Sequence, residues 1–384
     1  MNMEKYDVVI VGGSCAGAAA GTILAKAGRN TLIIDKAKFP RQKLCGGMIT
    51  EKTVRLLQEI YSVSCDTIID SRYNAFGVYH SSLGRVSSHR SDATLSMIHR
   101  DTFDDFFLKE AKKAGCKTYL GDKVVRIHNT TIINTASGRE IAADFIIGAD
   151  GGHSIIRKQL YGSKKDEGSH IGLEVDIPYE NLKYYLPQEE IFPWIFFGYV
   201  KTGYGWLFPK KDFVTVGLAG MLLNDDKNLL VAFKRLLDTV CLDPPRVIGE
   251  IKGHPVPLNT RCDETGSNNI FLIGDAAKLV EPLTGEGIYF AALSGSLAAK
   301  AILTQGDHAH IYNSLVKQHI NGHFLQARFA RAIYFNKLTN AYAMHKMKGN
   351  AKWCKYFLGL LSGEMDYIGY FKTVLKDRTV YSSL

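Results

Sequence analysis

The stretch Tyr6-Asp-Val-Val-Ile-Val-Gly12-Gly-Ser14-Cys-Ala16-Gly17, followed by Asp35, decides the fold. It reads as a strand, a tight glycine turn and a helix, then a second strand that ends in an acid. Such a unit holds a dinucleotide. Gly12 permits the sharp turn, the first helical amides face a pyrophosphate, and Gly17 lets the helix pack against the strand. Ala16 is small and belongs to the same turn. Asp35 comes 18 residues after Gly17, near the spacing of about 20 for an acid on a ribose hydroxyl. Ser14 takes the place of the middle glycine, and a serine is small enough to leave the backbone open to a phosphate. Alone the loop is weak, because a glycine-rich turn with no ligand looks the same.

Two later segments change the weighting. In Ile146-Ile-Gly148-Ala-Asp150-Gly-Gly-His-Ser154 an apolar strand ends at an acid and a helix follows. In Ile270-Phe-Leu-Ile-Gly274-Asp275 a strand again ends at an acid, and the chain continues through Glu281-Pro-Leu-Thr-Gly285-Glu-Gly287-Ile288 into a helix of small residues, Tyr289 to Leu303. An Asp after a buried strand can accept hydrogen bonds from a polyol. A Gly-x-Gly helix start brings amides to the edge of a heterocycle. Three strand-end sites suit a ligand as long as FAD, whereas NAD needs only the first.

Three further motifs narrow the reading: Phe39-Pro-Arg41-Gln-Lys43-Leu-Cys45-Gly46-Gly47-Met48, Tyr204-Gly-Trp206-Leu-Phe208-Pro209, and Pro282-Leu-Thr-Gly285-Glu-Gly287-Ile288. With the order of the segments they resemble the FAD-dependent hydroxylases and their relatives, most of all the geranylgeranyl reductase family, over roughly residues 5 to 300. The resemblance implies a cysteine and two glycines beside the flavin (Cys45, Gly46, Gly47, then Met48). It implies a lipid cavity lined by Tyr204, Trp206, Phe208 and Pro209, and a helix start at Gly285, Gly287 and Ile288 facing the flavin. Arg100, before Asp101-Thr-Phe103-Asp104, matches an arginine on FAD, and Arg41 and Lys43 fall near the cofactor. Val125 lies on the strand whose backbone meets the adenine, with Val124 as the rival register.

The implied reaction is hydride transfer from reduced FAD to an isolated carbon–carbon double bond of a prenyl chain, followed by protonation. Cys45 is the candidate catalytic residue. A thiol of pKa near 8.5 donates a proton at neutral pH, and the bland alternative is a small residue packed under the flavin. The rival activity is an FAD monooxygenase that hydroxylates an aromatic or quinone ring. The substrate is a prenylated lipid, a quinone or a terpenoid. The reductant is NAD(P)H or a small electron-carrier protein, and the sequence does not choose between them.

The chain's 384 residues and 46% hydrophobic content suit one large domain or two intimate ones. The fold class is α/β. A doubly wound parallel sheet for FAD (1–50, 95–160 and 265–300) is interleaved with an antiparallel-sheet substrate domain (51–94 and 161–264). A helical region follows (301–384). Asp101 to Ala114 reads as an amphipathic helix, with Phe103, Phe106, Phe107 and Leu108 on its apolar side. Seven cysteines without a C-x-x-C, and a chain that starts directly in a strand, suggest a reduced cytoplasmic protein with no metal site. The net charge of +9 is concentrated after residue 300, where 11 Lys or Arg face 4 Asp or Glu among many aromatics. A helical subdomain with a solvated basic face is the favoured reading, and contact with an anionic membrane surface the alternative. No nucleic-acid recognition motif accompanies the charge.

Overall fold

A computed structural model describes residues 3–162, 170–183, 191–221, 229–242, 250–258, 265–349 and 351–376. Along the chain, β1 (Glu4–Val11) leads through Gly12 into α1 (Cys15–Lys26) and β2 (Thr31–Asp35). A long connection then reaches β3 (Met48–Thr50) and α2 (Glu51–Tyr61). Next come the hairpin β4 (Ile69–His80) and β5 (Gly84–Ile98), then α3 (Arg100–Lys113) and β6 (Lys117–Leu120). After these follow β7 (Val124–His128), β8 (Ile132–Thr135), β9 (Glu140–Gly148) and α4 (Ile155–Tyr161). The middle of the chain supplies β10 (His170–Pro178), β11 (Trp194–Phe197), β12 (Gly203–Pro209), β13 (Phe213–Met221), α5 (Leu229–Val240) and β14 (Lys252–Val256). The short β15 (Gly266–Ser267) and β16 (Ile270–Leu272) precede α6 (Ile288–Leu303). Five helices follow: α7 (His308–Val316), α8 (Gly322–Tyr334), α9 (Lys337–Gly349), α10 (Ala351–Ser362) and α11 (Tyr367–Lys376).

The first sheet runs β15-β16-β9-β1-β2-β6, parallel from β16 to β6, with β8 and β7 added antiparallel beyond β9. Its central strands are buried on both faces, and for that reason Val8, Val9, Ile10 and Leu32 to Ile34 form unbroken apolar runs. From β1 the chain builds outward through β2 and β6, then crosses to β9 and β16. The order therefore reverses between β1 and β9, and a crevice at the carboxyl ends of such strands is where ligands bind. The small residues of α6 let it lie on α1: a Cβ at Gly295 would sit 2.4 Å from the Ala16 carbonyl oxygen.

The second sheet runs β14-β10-β13-β12-β11-β4-β5-β3 and is antiparallel except where β11 joins β4. It crosses the expected limits at 50 and 94, since β3 and the end of β5 at Ile98 both belong to it. Alternation sorts its faces. Leu207, Val214, Val216 and Leu218 pack on Phe233, Leu236 and Leu237 of α5. Phe76, Trp206 and Phe208 turn the other way, into a cluster with Tyr334, Phe357 and Tyr370 of the C-terminal helices. The aromatics of that basic region are thus largely packed. Phe324, Tyr334, Trp353 and Phe357 are buried, while Phe329 and Tyr342 stay exposed. Among the described residues no helix is long and apolar enough to cross a membrane.

Candidate functional site

The glycines of the first turn have measurable reasons. Gly12 has φ +112°, and a Cβ there would lie 2.2 Å from the Ala149 carbonyl oxygen. A Cβ at Gly17 would lie 1.9 Å from the carbonyl of Gly12. The turn therefore closes directly against the end of β9, at the point where the strand order reverses. Helix α1 has no acid in its first turn, and the Ser14 hydroxyl does not cap it. Its first amides remain available to an anion.

Ser14 instead points sideways. Its Oγ donates to Asp104 Oδ2 at 2.9 Å and accepts from Arg100 Nη2 at 3.0 Å. Arg100 pairs with Asp104 one turn along α3, and Arg41 reaches the same carboxylate at 3.2 Å. Asp104 is wholly buried. Burial alone would push its carboxyl up, but the charges of Arg100 and Arg41 hold it below the usual carboxylate range. Two guanidiniums and one carboxylate leave one positive charge beside the β1–α1 turn. The serine that breaks the glycine pattern is the polar link between that cluster and the loop.

The three strand-end acids differ. Asp35 accepts from the Gly13 amide at 2.7 Å and the Ala37 amide at 2.8 Å, one oxygen to each. Asp150 caps α4 with Oδ2 on the Ile155 amide at 2.7 Å, and its buried Oδ1 has no partner. Burial raises its carboxyl above the ordinary value. Asp275 accepts from Lys43 Nζ at 3.1 Å. Burial opposes ionisation there, yet the Lys43 charge holds the carboxyl low. Lys43 is therefore engaged with Asp275.

Between the two sheets lies a cavity lined by Cys45, Gly46, Gly47, Met48, Tyr204, Trp206, Phe208, Gly285, Gly287 and Ile288, together with Ser14, Ala16, Arg100 and Asp275. The loop passes so close to the aromatic wall that a Cβ at Gly46 would lie 2.7 Å from the Phe208 ring and 2.9 Å from Trp206 Nε1. Gly47 needs its φ of +81°, since a Cβ would meet the Ile98 carbonyl at 2.3 Å. Gly285 has φ +69° beside the Tyr204 hydroxyl, which donates to the Thr284 carbonyl. Trp206 and Phe208 stack with centroids 6.3 Å apart, and Tyr204 meets Trp206 edge-on.

Other residues singled out from the sequence lie outside this lining. Gly12, Gly17, Asp35, Arg41 and Asp150 lie around the β1–α1 turn, beside the Ser14 and Ala16 end of the cavity. Pro209 closes β12, with its carbonyl accepting from Ser71 at 3.3 Å. Val125 is exposed on β7, at a bulge between Val124 and Arg126, while Val124 is buried. Two groups in or behind the cavity wall escaped the sequence reading. Asp104 was legible as the i+4 partner of Arg100. Glu174, on β10, accepts from the Cys45 amide at 2.9 Å, and its only local signal is an acid in phase with Gly172 and Asp176 along the strand. Among the described residues no group of three or more His, Cys, Asp or Glu is arranged to hold a metal.

A family model described as an FAD binding domain matches residues 5–206, more than half of the chain. The chain belongs to the FAD-binding-domain family. Within that family it is a member of the geranylgeranyl reductase group of FAD-dependent oxidoreductases. A menaquinone reductase of Mycolicibacterium smegmatis is 30% identical over 352 residues, covering 84% of this chain and 83% of the relative. A chloroplastic geranylgeranyl diphosphate reductase of Oryza sativa subsp. japonica is 29% identical, covering 78% of this chain and 67% of the relative. The crystal structure of a geranylgeranyl bacteriochlorophyll reductase-like protein from Thermoplasma acidophilum superposes with a TM-score of 0.75 at 20% identity, over 90% of this chain and 91% of that one. A flavin-dependent brominase superposes at 0.71 and 18% identity, over 94% of each chain. These two likenesses are of fold. The expected α/β architecture of this FAD-binding-domain protein, with its two sheets and helical C-terminal region, is the one observed.

Proposed function

We propose that this protein saturates carbon–carbon double bonds of a prenyl chain, using bound FAD. One observation carries the reading. The cavity between the sheets is lined by Trp206 and Phe208, with the Cys45-Gly46-Gly47 backbone packed against them, and it reaches the Gly285–Ile288 helix start. An apolar slot against a backbone edge suits a flat ring system with a hydrocarbon chain laid beside it. The printed names of the relatives, which act on prenylated substrates or on a quinone, support the same substrate class.

In this reading the diphosphate of FAD meets Ser14, the α1 amides at Ala16 and Gly17, Arg41 and Arg100. Asp35 takes a ribose hydroxyl, the Val125 backbone the adenine, and Asp150 and Asp275 the polyol. The amides of Gly285, Gly287 and Ile288 face the polar edge of the flavin and stabilise negative charge there. Gly46, Gly47 and Met48 lie along the ring. FAD, when bound and reduced, supplies the hydride. Tyr204, Trp206 and Phe208 hold the prenyl chain and keep water out, and Cys45 shapes the reacting end. Electrons come from NAD(P)H or a small carrier protein. Exposed Leu325, Phe329 and Leu338 on the basic C-terminal helices are the surface for a lipid bilayer.

The test is anaerobic. The flavin of the purified protein is reduced with dithionite, geranylgeranyl diphosphate or a prenylated quinone is added, and flavin absorbance and product mass are followed. Reoxidation with a gain of about 2 mass units per bond is the expected result. A flavin that stays reduced until air enters, with product then heavier by about 16 units, makes the protein a hydroxylase and refutes the proposal.

A further inference from the structure

The cavity wall contains two buried polar atoms with no hydrogen-bond partner among the described residues: Glu174 Oε2 and Trp206 Nε1. Sheet register brings the two side chains together. Glu174 on β10 pairs with Gly217 on β13, and Gly217 pairs with Trp206 on β12, so the three occupy one row. The residue between them has no side chain, and the indole fills that space: a Cβ at Gly217 would lie 2.1 Å from Trp206 Cζ2. Glu174 is held from the opposite wall. Its Oε1 accepts the Cys45 amide at 2.9 Å, which fixes the carboxyl and leaves Oε2 buried at the cavity wall without a partner among the described residues. A buried oxygen with no partner is costly to the fold, so a buried acid of this kind is expected to have a use.

We propose that Glu174 is the proton donor of the reduction, placed over the Cys45-Gly46 floor with Oε2 toward the double bond. The inference rests on the reductase reading above. Glu174 gives its carboxyl proton to one carbon of the double bond, whose π pair forms the new C–H bond. The other carbon takes the hydride that reduced FAD supplies, and water returns a proton to the carboxylate. The alkene thus gains two hydrogens, the cofactor loses two electrons, and the acid is restored.

The surroundings suit the role. Burial pushes the Glu174 carboxyl up to about 7. The Cys45 amide and the charges of Lys210 and Lys252 pull it down, and Asp176 pushes it up. His254, on β14 in the same cavity, is itself pushed down by burial. A useful fraction of the acid therefore carries its proton at the pH of a cell. Cys45 supplies its backbone to this arrangement and leaves the carboxyl to carry the proton.

Glu174→Gln tests the proposal, because it keeps the size and a carbonyl oxygen for the Cys45 amide. Three readouts are taken on the FAD-loaded protein: FAD occupancy, the rate of flavin reduction by dithionite, and the anaerobic rate of reoxidation by geranylgeranyl diphosphate between pH 5.5 and 8.5. Occupancy and reduction are expected to hold, while reoxidation falls about 100-fold or more. The wild-type rate declines as pH rises through about 7, and the variant loses that limb. Cys45→Ala slows turnover but keeps the limb. A protonated-carboxyl infrared band, seen in wild type without substrate, titrates over the same range and is missing from the variant. A variant with more than about a third of the wild-type reoxidation rate overturns the assignment. Equal losses of occupancy and turnover also overturn it, in favour of a structural role. Wild-type protein that ignores every prenyl substrate refutes the reductase reading and this proposal with it.

Discussion

Asp104→Asn is the perturbation whose size the structure fixes best. The wild-type carboxylate is fully buried, accepts hydrogen bonds from Ser14 Oγ and Arg100 Nη2, each at 2.9 Å, and forms an ion pair with Arg41 Nη1 at 3.2 Å. Asparagine keeps the volume but removes the charge, and it turns a hydrogen donor toward two guanidiniums. Removing one partner of a buried ion pair costs about 3–5 kcal/mol, because the remaining charge is stranded. Arg41 keeps a fifth of its side chain in solvent and can swing out, whereas Arg100 is only 7% exposed and cannot. The expected loss is therefore near the lower end, about 3 kcal/mol. The assay is urea unfolding of FAD-free protein followed by tryptophan fluorescence. The sign of the pH dependence is fixed as well. The folded carboxyl titrates below its unfolded value, so its stabilisation is complete above the unfolded value and disappears as pH falls through the folded one. Wild type and variant should differ most at pH 7 and converge below the ordinary carboxylate pKa of about 4. FAD should narrow the gap at pH 7, since its diphosphate brings negative charge to the stranded arginines. A loss under about 1 kcal/mol, or a gap unchanged at pH 3, would refute the idea that Asp104 neutralises this cluster.

Two further tests address the cavity. Asp275→Ala strands Lys43 and removes the proposed polyol acceptor, so FAD affinity by fluorescence titration should fall about tenfold or more, a loss of at least one charge-assisted bond. Unchanged affinity would remove that assignment. Trp206→Ala opens space over Gly46 and Gly217. Turnover of a geranylgeranyl chain should drop more than dithionite reduction of the flavin does, and equal losses would place Trp206 with the cofactor instead of the chain.

Residues whose reason is local could be read from the sequence. Gly12 and Gly47 answer backbone conformations that side chains resist, and the apolar runs in β1, β2 and the end of β9 suit strands buried on both faces. The small-residue character of Ile288–Leu303 likewise announced a close helix contact. The sequence showed Ser14 only as a departure from a pattern, because the hydroxyl's partners lie 86 and 90 residues away. Glu174 was invisible for the same reason: its meaning comes from Gly217 and Trp206, neighbours supplied by strand register. The Val125 reading stayed open between two residues because β7 is bulged there, and a bulge shifts the alternation that would have separated them.

The bonds that close the cavity join very distant parts of the chain. Cys45 to Glu174 spans 129 residues, Lys43 to Asp275 spans 232, and Thr50 to Glu286 spans 236. Contacts so remote in sequence form late, since each must first overcome the entropy of closing a large loop. The β1–α1 turn therefore depends on segments far along the chain before its binding groove has all its walls. The cofactor is therefore a late arrival in folding.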